Sequence, residues 1–311
     1  MTARLGPQNA QVKLTWSSAT LICMRSLLVV VGLCTLTQAQ TFKSTLDQVA
    51  VSVTIQSDPA ERAADLRPED FRVFDNGRQV PIVTFGKMRQ SVHVLLLLDT
   101  SRSMAESLLD VKTAATAIIA RLAPGDSVQI GTFSNLLRLS PAFSADESDL
   151  VGRLSFVPGA NMTILYDALV EGCSTFTGEM DRRAIFVVSD GMDTASGASA
   201  RDVMQKAAEA SVAIYAVGLT SRYVERGKSI VLAPNPVLHE IADDTGGQYV
   251  YAGSGRDYSR LFEAMIEELH QQYILGFTPT QADGKLHSLR VTTRRPNVNV
   301  RSRKQYLAPV S

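Results

Sequence analysis

Residues 92–103 read VHVLLLLDTSRS, and this stretch decides the fold of the chain. A nearly continuous apolar run of this length, followed by polar turn formers, fits a strand that is buried on both faces of a parallel sheet. Asp99 ends the run, and open α/β sheets bind ligands at the carboxyl ends of their strands. With Ser101 and Ser103 it brings three hard oxygens onto one tight turn, and Mg²⁺ and Ca²⁺ require such oxygens. Alternatively, Asp99 or Ser101 caps the helix that follows.

Strand and helix patterns alternate after this stretch. Apolar residues at three- and four-residue steps predict helices, and short apolar runs predict strands. The alternation predicts an α/β fold with a doubly wound, mainly parallel sheet, in which residues 136–139 form a short edge strand. The predicted helices cover residues 104–122, 146–154, 164–176, 200–210, 238–245 and 258–269, and the predicted strands cover residues 127–133, 184–189, 212–219 and 248–251.

Two later positions repeat the chemistry of Asp99. Thr163 stands just before a predicted helix in a glycine-containing loop, and plain capping of that helix is its alternative role. Asp190 ends the second buried strand, where Gly191 lets the backbone turn sharply. Asp193 follows, and it either caps the helix at residues 200–210 or supports the site as a carboxylate that does not touch the ion.

Together, three segments of the sequence resemble the metal-ion-dependent adhesion site of von Willebrand factor type A domains. They are Asp99-x-Ser101-x-Ser103, Thr163-Ile164-Leu165-Tyr166-Asp167 and Ser189-Asp190-Gly191, in that order. The resemblance covers residues 91–272 and departs from the family at residues 160–162, where small residues are usual. The strands at residues 70–73 and 273–277 look like those of a bacterial secreted subfamily. The resemblance implies a Rossmann-like type A fold and a metal site formed by Asp99, Ser101, Ser103, Thr163 and Asp190, with Asp193 beside it.

A divalent ion would remove the repulsion between two carboxylates that are brought together. The resemblance implies Mg²⁺, with Mn²⁺ or Ca²⁺ as alternatives, and it implies that an acidic side chain of a partner protein binds the ion. The chain is therefore expected to be an adhesion-type binding module and not an enzyme. Two alternatives stay open, a structural type A domain without metal-dependent binding and a metal-dependent hydrolase. None of the four histidines shows metal-ligand spacing.

The first 39 residues are predicted to be a secretory signal peptide. A basic start at Met24, a short apolar core and a small residue before the cut are its marks, and Met24 is an alternative start of the chain. The expected product is secreted or periplasmic and has no membrane span after cleavage, whereas an uncleaved N-terminal anchor is the alternative. Cleavage removes Cys23 and Cys34, and the remaining Cys173 is predicted to be a buried thiol in a helix.

Short β units are predicted on both sides of the type A domain. Residues 40–88 and 274–311 form these units, and the type A domain spans residues 89–273. Asn76-Gly77 lies between two short runs and is a strong hairpin signal, because a type I′ turn needs positive φ at both central residues. Two-stranded hairpins are marginally stable alone. The two units are therefore expected to pack together as one small β-sandwich.

The composition indicates an ordinary globular protein. The chain has 311 residues, a formal net charge of +0 and 20% charged residues, and nothing in these values points to a nucleic-acid partner. The C-terminal strands are basic, which predicts a solvated face that protects a sheet edge. An anionic partner, such as a cell-envelope polymer or a lipid headgroup, is the alternative. The basic residues are Arg290, Arg294, Arg295, Arg301, Arg303 and Lys304.

Overall fold

A computed structural model describes residues 48–56, 66–87, 90–154, 159, 162–178, 180–225, 228–252 and 258–310. The strands are β1 (Val49–Gln56), β2 (Phe71–Asp75), β3 (Arg78–Val80), β4 (Ile82–Gly86), β5 (Val92–Asp99), β6 (Ser127–Phe133), β7 (Leu137–Leu139), β8 (Arg182–Ser189), β9 (Val212–Leu219), β10 (Ser221–Glu225), β11 (Lys228–Leu232), β12 (Tyr249–Ala252), β13 (Tyr273–Phe277), β14 (Leu286–Thr293), β15 (Asn299–Arg301) and β16 (Gln305–Leu307). The helices are α1 (Leu108–Ile119), α2 (Glu147–Arg153), α3 (Leu165–Ser174), α4 (Ala200–Ala210), α5 (Val237–Thr245) and α6 (Tyr258–His270). Short 3₁₀ helices cover Pro68–Asp70 and Arg102–Ser107.

The central sheet has the strand order β12-β9-β8-β5-β6-β7. The pairs β5–β6, β5–β8, β8–β9 and β9–β12 are parallel, and β7 is antiparallel at the edge. Helices α1, α2 and α6 cover one face of the sheet, and α3, α4 and α5 cover the other. Residues Val94 to Leu98 of β5 are therefore 0% exposed. This arrangement confirms the predicted doubly wound sheet with its edge strand at β7.

A β-sandwich is formed by the strands that precede and follow the α/β region. One antiparallel sheet has the order β15-β1-β13-β4, and the other has the order β16-β14-β2-β3. Their inner faces share one core, which includes Val53, Val73 and Phe277. The predicted hairpin at β2–β3 is confirmed, because Asn76 and Gly77 have φ values of 47° and 81° and so form the expected turn with two positive φ angles. The predicted small sandwich is thereby confirmed.

Three elements differ from the sequence-based expectation. The run at residues 79–83 is split at Pro81, which cannot donate to a sheet ladder, so that β3 pairs with β2 while β4 pairs with β13 in the other sheet. The helix expected from residue 104 begins at Leu108, because Arg102–Ser107 forms a 3₁₀ helix. A hairpin of β10 and β11 was not predicted, and β10 contacts that 3₁₀ helix.

Basic residues of the C-terminal strands are partly used inside the protein. Arg295 forms two hydrogen bonds with Asp70, at 3.0 and 3.1 Å. Arg301 is ion-paired with Glu268 of α6, and Lys304 with Asp243 of α5. These contacts hold strands of the sandwich to each other and to the α/β region. They give three of the six basic residues a structural role that the sequence did not indicate.

The expected signal peptide, residues 1–39, lies outside the described residues, as do Cys23 and Cys34. No helix within the described part of the chain is long and apolar enough to cross a membrane. Cys173 is confirmed as a buried thiol in α3, and burial raises its pKa to about 12. The expected boundaries of the type A domain, residues 89 and 273, stay a prediction.

Replacing Gly77 with alanine should destabilise the sandwich by about 1–2 kcal/mol. No atom lies within 4 Å of the position that a Cβ would take, so the cost comes from the φ of 81° alone. Gly152→Ala in α2 is the matched control, since that position is equally open but helical, and there alanine should stabilise by roughly 0.5–1 kcal/mol. Urea unfolding of both variants measures whether each substitution lowers or raises the free energy of unfolding. Equal changes in the two variants would contradict the turn assignment.

Candidate metal centre

Asp99 lies at the carboxyl end of β5 and is 0% exposed. Its Oδ1 accepts a hydrogen bond from the Ser101 amide at 2.8 Å, and its Oδ2 accepts one from the Ser189 hydroxyl at 2.6 Å. Parallel pairing of β5 with β8 aligns Leu98 with Val188, so the two strands end side by side. The strand register therefore brings Asp99 next to Ser189 and Asp190.

The hydroxyls of Ser101 and Ser103 lie 3.1 Å apart and form a hydrogen bond with each other. Ser101 occupies the N-cap position of the 3₁₀ helix, but its side chain makes no capping bond. The Asp99 carboxylate accepts a hydrogen bond from the Ser101 amide, and Ser101 precedes the 3₁₀ helix, which begins at Arg102. The alternative role of Asp99 or Ser101 as a helix cap is therefore wrong. These two hydrogen bonds link both serines to Asp99, one directly and the other through Ser101.

Thr163 is 4% exposed and lies in the loop before α3. Its amide donates to the Thr194 hydroxyl at 2.8 Å, and its carbonyl accepts from the amides of Thr194 and Ala195. The N-cap position of α3 is Ile164, and no side chain at that position caps the helix. Capping by Thr163 is therefore excluded.

Asp190 follows β8 and is 1% exposed. Its Oδ1 accepts from the Met192 amide at 3.0 Å, whereas its Oδ2 is buried and has no hydrogen-bond partner. Gly191 has a φ of 76°, and a Cβ there would lie 3.0 Å from the Cβ of Asn235. Glycine is therefore required for the turn that presents Asp190.

Asp193 does not cap α4, so that part of the prediction is wrong. Ser199 caps α4 in a reciprocal arrangement with Asp202. Asp193 instead accepts from the Tyr166 amide in the first turn of α3, at 3.3 Å, and from the Ser196 hydroxyl at 2.6 Å. Its negative charge therefore lies at the N-terminus of α3, where the helix dipole favours an anion.

The buried carboxylates make the centre electrostatically unfavourable without a cation. Burial, together with the charge of Asp190, raises the pKa of Asp99 to about 6, although the hydrogen bonds from Ser101 and Ser189 lower it. Both carboxyl groups lie in an environment that solvates negative charge poorly. A cation at this position would offset both charges.

The donor set fits a hard divalent ion. Within the described residues no group of three or more histidine, cysteine, aspartate or glutamate side chains could hold a metal, so a site here depends on hydroxyl oxygens beside the two carboxylates. Carboxylates and hydroxyls are suitable ligands for Mg²⁺. The residues that could hold the ion are Asp99, Ser101, Ser103, Thr163 and Asp190.

Histidines take part in other contacts. His93 bonds the Ser127 hydroxyl, His270 contacts Asp126, and His287 lies between Asp75 and Asp283. His239 packs edge-on against Tyr249. None of these contacts involves the five candidate ligands.

Sequence reasoning missed the residues that hold the loops in place. Ser189 donates to Asp99 and accepts from the Gly191 amide, so it links the two strand ends. Thr194 and Ser196 bond the loop before α3 and the first turn of that helix. A run of small hydroxyl residues after Asp193 was the available signal, but it does not show which distant amides those hydroxyls meet.

The architecture is similar to that of solved proteins. Over 58% of this chain and 98% of the other, it is similar to BatB from Bacteroides thetaiotaomicron, with 23% identity and a TM-score of 0.50. An aerotolerance-related membrane protein from Bacteroides fragilis gives 22% identity and a TM-score of 0.51 over 58% of this chain and 98% of that one. A mussel byssus matrix protein with a zinc-occupied MIDAS motif gives 17% identity and a TM-score of 0.46 over 61% and 48%. Comparison with curated protein sequences found no match.

The model of one protein family matches the sequence. It describes the von Willebrand factor type A domain and matches residues 93–257, more than half of the 311 residues. The matched segment contains all of β5 except Val92, all of β8 and the three loops that carry the candidate ligands. The chain belongs to the von Willebrand factor type A domain family.

Proposed function

We propose that this protein is a binding module that captures an acidic side chain of a partner protein through a divalent ion. Type A domains typically serve as protein-interaction modules. The observation that carries the proposal is the Oδ2 atom of Asp190, which is buried and unpartnered beside the buried carboxylate of Asp99. A buried charged oxygen without a hydrogen bond is energetically costly. Coordination of a metal ion by the same oxygen would remove that cost.

The ion would be held by Asp99, Ser101, Ser103, Thr163 and Asp190. Mg²⁺ is the first choice, with Mn²⁺ or Ca²⁺ as alternatives, because all five donors are oxygens. When bound, the ion supplies an electrophilic centre for an outside anion. The chain's own contribution is to fix the two carboxylates by Ser189 and the Met192 amide. Asp193 supports the site by ordering the start of α3.

The surface around the centre favours an anion. Arg102 lies between the two serines, is exposed and forms no ion pair within the part of the chain that the structure describes. A metal ion held here, with an exposed arginine in the same turn, would attract a carboxylate from a partner. This charge pattern supports an aspartate or glutamate as the captured group.

Exposed apolar side chains lie on two loops that carry candidate ligands and on a third loop that is hydrogen-bonded to one of them. Leu136, Met162 and Met192 are 55%, 53% and 38% exposed. Their loops are joined, because the Ile164 amide donates to the Ser134 carbonyl and Thr163 is bonded to Thr194. Clustered exposed apolar residues mark interaction surfaces. The partner therefore presents its acidic residue with apolar neighbours.

The two alternative functions have less support. A purely structural role for the motif requires helix capping by Asp99, Ser101 or Thr163, and none of them caps a helix. A hydrolase requires a base near the metal, and the histidines make their contacts elsewhere. We therefore place no enzymatic activity in this proposal.

The proposed location is outside the cytoplasm. The predicted signal peptide supports a secreted or periplasmic protein, and an uncleaved N-terminal anchor remains the alternative. The similar protein from Bacteroides fragilis is described as a membrane protein. Contact with an envelope polymer through the C-terminal strands is not included, because Arg295, Arg301 and Lys304 are paired internally.

Calorimetric titration of Mg²⁺ should give saturable heat with the parent and none with Asp99→Asn. The same substitution should stabilise the metal-free protein by about 1–3 kcal/mol, because it removes a buried charge beside Asp190. Asp149→Asn is the matched control, since Asp149 lies on α2 and pairs with Arg153. Unchanged Mg²⁺ binding in Asp99→Asn, or no heat from the folded parent, would refute the proposed ligand set.

Binding to peptides tests the captured group. End-blocked peptides with a central glutamate should bind in Mg²⁺, and both chelator and a central glutamine should abolish binding. Leucine-flanked peptides should bind more tightly than serine-flanked ones, and Met192→Ser should weaken only the leucine-flanked set, by about fivefold for roughly 1 kcal/mol of lost apolar burial. Leu307→Ser is the control, because Leu307 is 42% exposed on the sandwich. Binding that survives glutamine substitution would contradict carboxylate capture.

A further inference from the structure

A cavity lined by several charged residues lies at the edge of the central sheet opposite the candidate metal centre. Its volume is about 150 Å³, far above the roughly 10–15 Å³ that a single water requires. The amino ends of β8 and β9 line it on one side, and residues of β1 and β13 line it on the other. The cavity therefore lies between the α/β sheet and one sheet of the sandwich.

Arg182, the first residue of β8, lines this cavity and is 4% exposed. Its Nε donates to the Gln90 side chain at 3.1 Å, and its Nη2 donates to the Gln272 carbonyl at 3.1 Å. Its Nη1 is buried and has no hydrogen-bond partner. The acceptors that hold this guanidinium are neutral, so they do not compensate its charge.

Arg303 lines the same cavity from the sandwich. Its Nη1 donates to the Ser211 hydroxyl at 2.7 Å, and its Nη2 donates to the Ala50 carbonyl at 2.8 Å. Its Nε is buried without a partner, and burial lowers the pKa of this guanidinium to about 10. A second cation is therefore held in the cavity wall by neutral acceptors alone.

The charges that line the cavity do not balance. Arg183 is a third guanidinium of the lining, and it donates to the carbonyls of Ala210 and Gly178. Asp181 is the one acidic residue of the lining, and it is exposed. Three guanidinium groups thus meet one exposed carboxylate. Buried charges without a counter-ion are strongly unfavourable, and unpaired buried donors call for a ligand.

We propose that this cavity binds a small oxyanion of the phosphate type, held by Arg182 and Arg303. Oxyanions accept several charge-assisted hydrogen bonds from guanidinium groups, and such bonds are about twice as strong as neutral ones. The bound anion would accept from the guanidinium groups of Arg182 and Arg303, each of which has one nitrogen without a hydrogen-bond partner. It would thereby join β8 of the central sheet to the C-terminal strands, so that anion binding stabilises the junction between the sheet and the sandwich.

Titration of inorganic phosphate into the full chain tests this site. Chelator is present throughout, and ionic strength is held constant with chloride, so that neither the metal centre nor general salt effects contribute. The parent should give a saturable heat and a saturable rise in melting temperature. Arg303→Gln should weaken phosphate binding at least about tenfold, since it removes the charge and the unpartnered Nε. Arg290→Gln is the control, because Arg290 lies exposed over the Phe74 ring.

Each outcome of the titration decides the proposal. Absence of saturable binding in the parent, or equal binding in Arg303→Gln, overturns it. Where Arg303→Gln does not fold, Arg303→Lys replaces it, because lysine keeps the charge and lacks Nε. Parallel titration with glycerol phosphate separates a free inorganic anion from the phosphate group of a larger molecule. Asp99→Asn should bind phosphate like the parent, which separates this site from the proposed metal centre.

Discussion

Parallel pairing of β5 with β8 places two acidic residues at neighbouring strand ends, and most of the described site depends on this constraint. The register aligns Leu98 with Val188, so Asp99 and Asp190 leave the sheet side by side. Both are almost completely buried, and the apolar layers below and around β5 keep water from screening them. The surrounding loops then add amide and hydroxyl donors, but one oxygen of Asp190 remains unpaired. The fold thus places two buried carboxyl groups at one edge of the sheet.

A second set of buried polar contacts joins the last helix to the sandwich. Tyr215 in the core of β9 donates to Glu268 of α6, and Arg301 of β15 pairs with the same carboxylate. Gln272 after this helix donates to the Thr54 hydroxyl of β1. A displacement of α6 along its axis would break these contacts together and leave buried groups unpaired. The sandwich thus fixes the C-terminal end of α6 relative to the central sheet.

Features that depend on local pattern could be predicted from the sequence. The continuous apolar run of β5, the hairpin at Asn76-Gly77 and the helix ended by Gly246 all carry their signal within a few residues. The candidate ligands were found because strand ends of a parallel sheet meet at one edge, which converts two separate strand assignments into one site. Their assignment as ligands nevertheless stays a proposal.

Features that depend on distant partners could not be predicted. Capping of the nearby α4 was one of two roles predicted for Asp193, but Asp193 bonds an amide of α3 that lies 27 residues earlier in the chain. The split at Pro81 follows from which sheet each half joins, and local propensity does not encode that choice. The cavity that contains Arg182 and Arg303 forms only when the sandwich packs against the sheet. The basic C-terminal strands indicated an anionic partner as an alternative, but nothing in the sequence pairs Arg303 with Arg182.

The two edges of the central sheet carry unbalanced charges of opposite sign, although the formal net charge of the chain is +0. In a doubly wound fold the helix N-termini lie at the carboxyl edge of the sheet, where their dipoles favour the buried acids. The C-termini lie at the amino edge, and Arg183 donates directly to the carbonyl of Ala210, the last residue of α4. Helix dipoles reduce the cost of both charge groups but leave Asp190, Arg182 and Arg303 each with an unpaired atom. A helix end carries only about half of an elementary charge, so it offsets a full charge only in part. A cation at the carboxyl edge and an anion at the amino edge would neutralise the charge that remains.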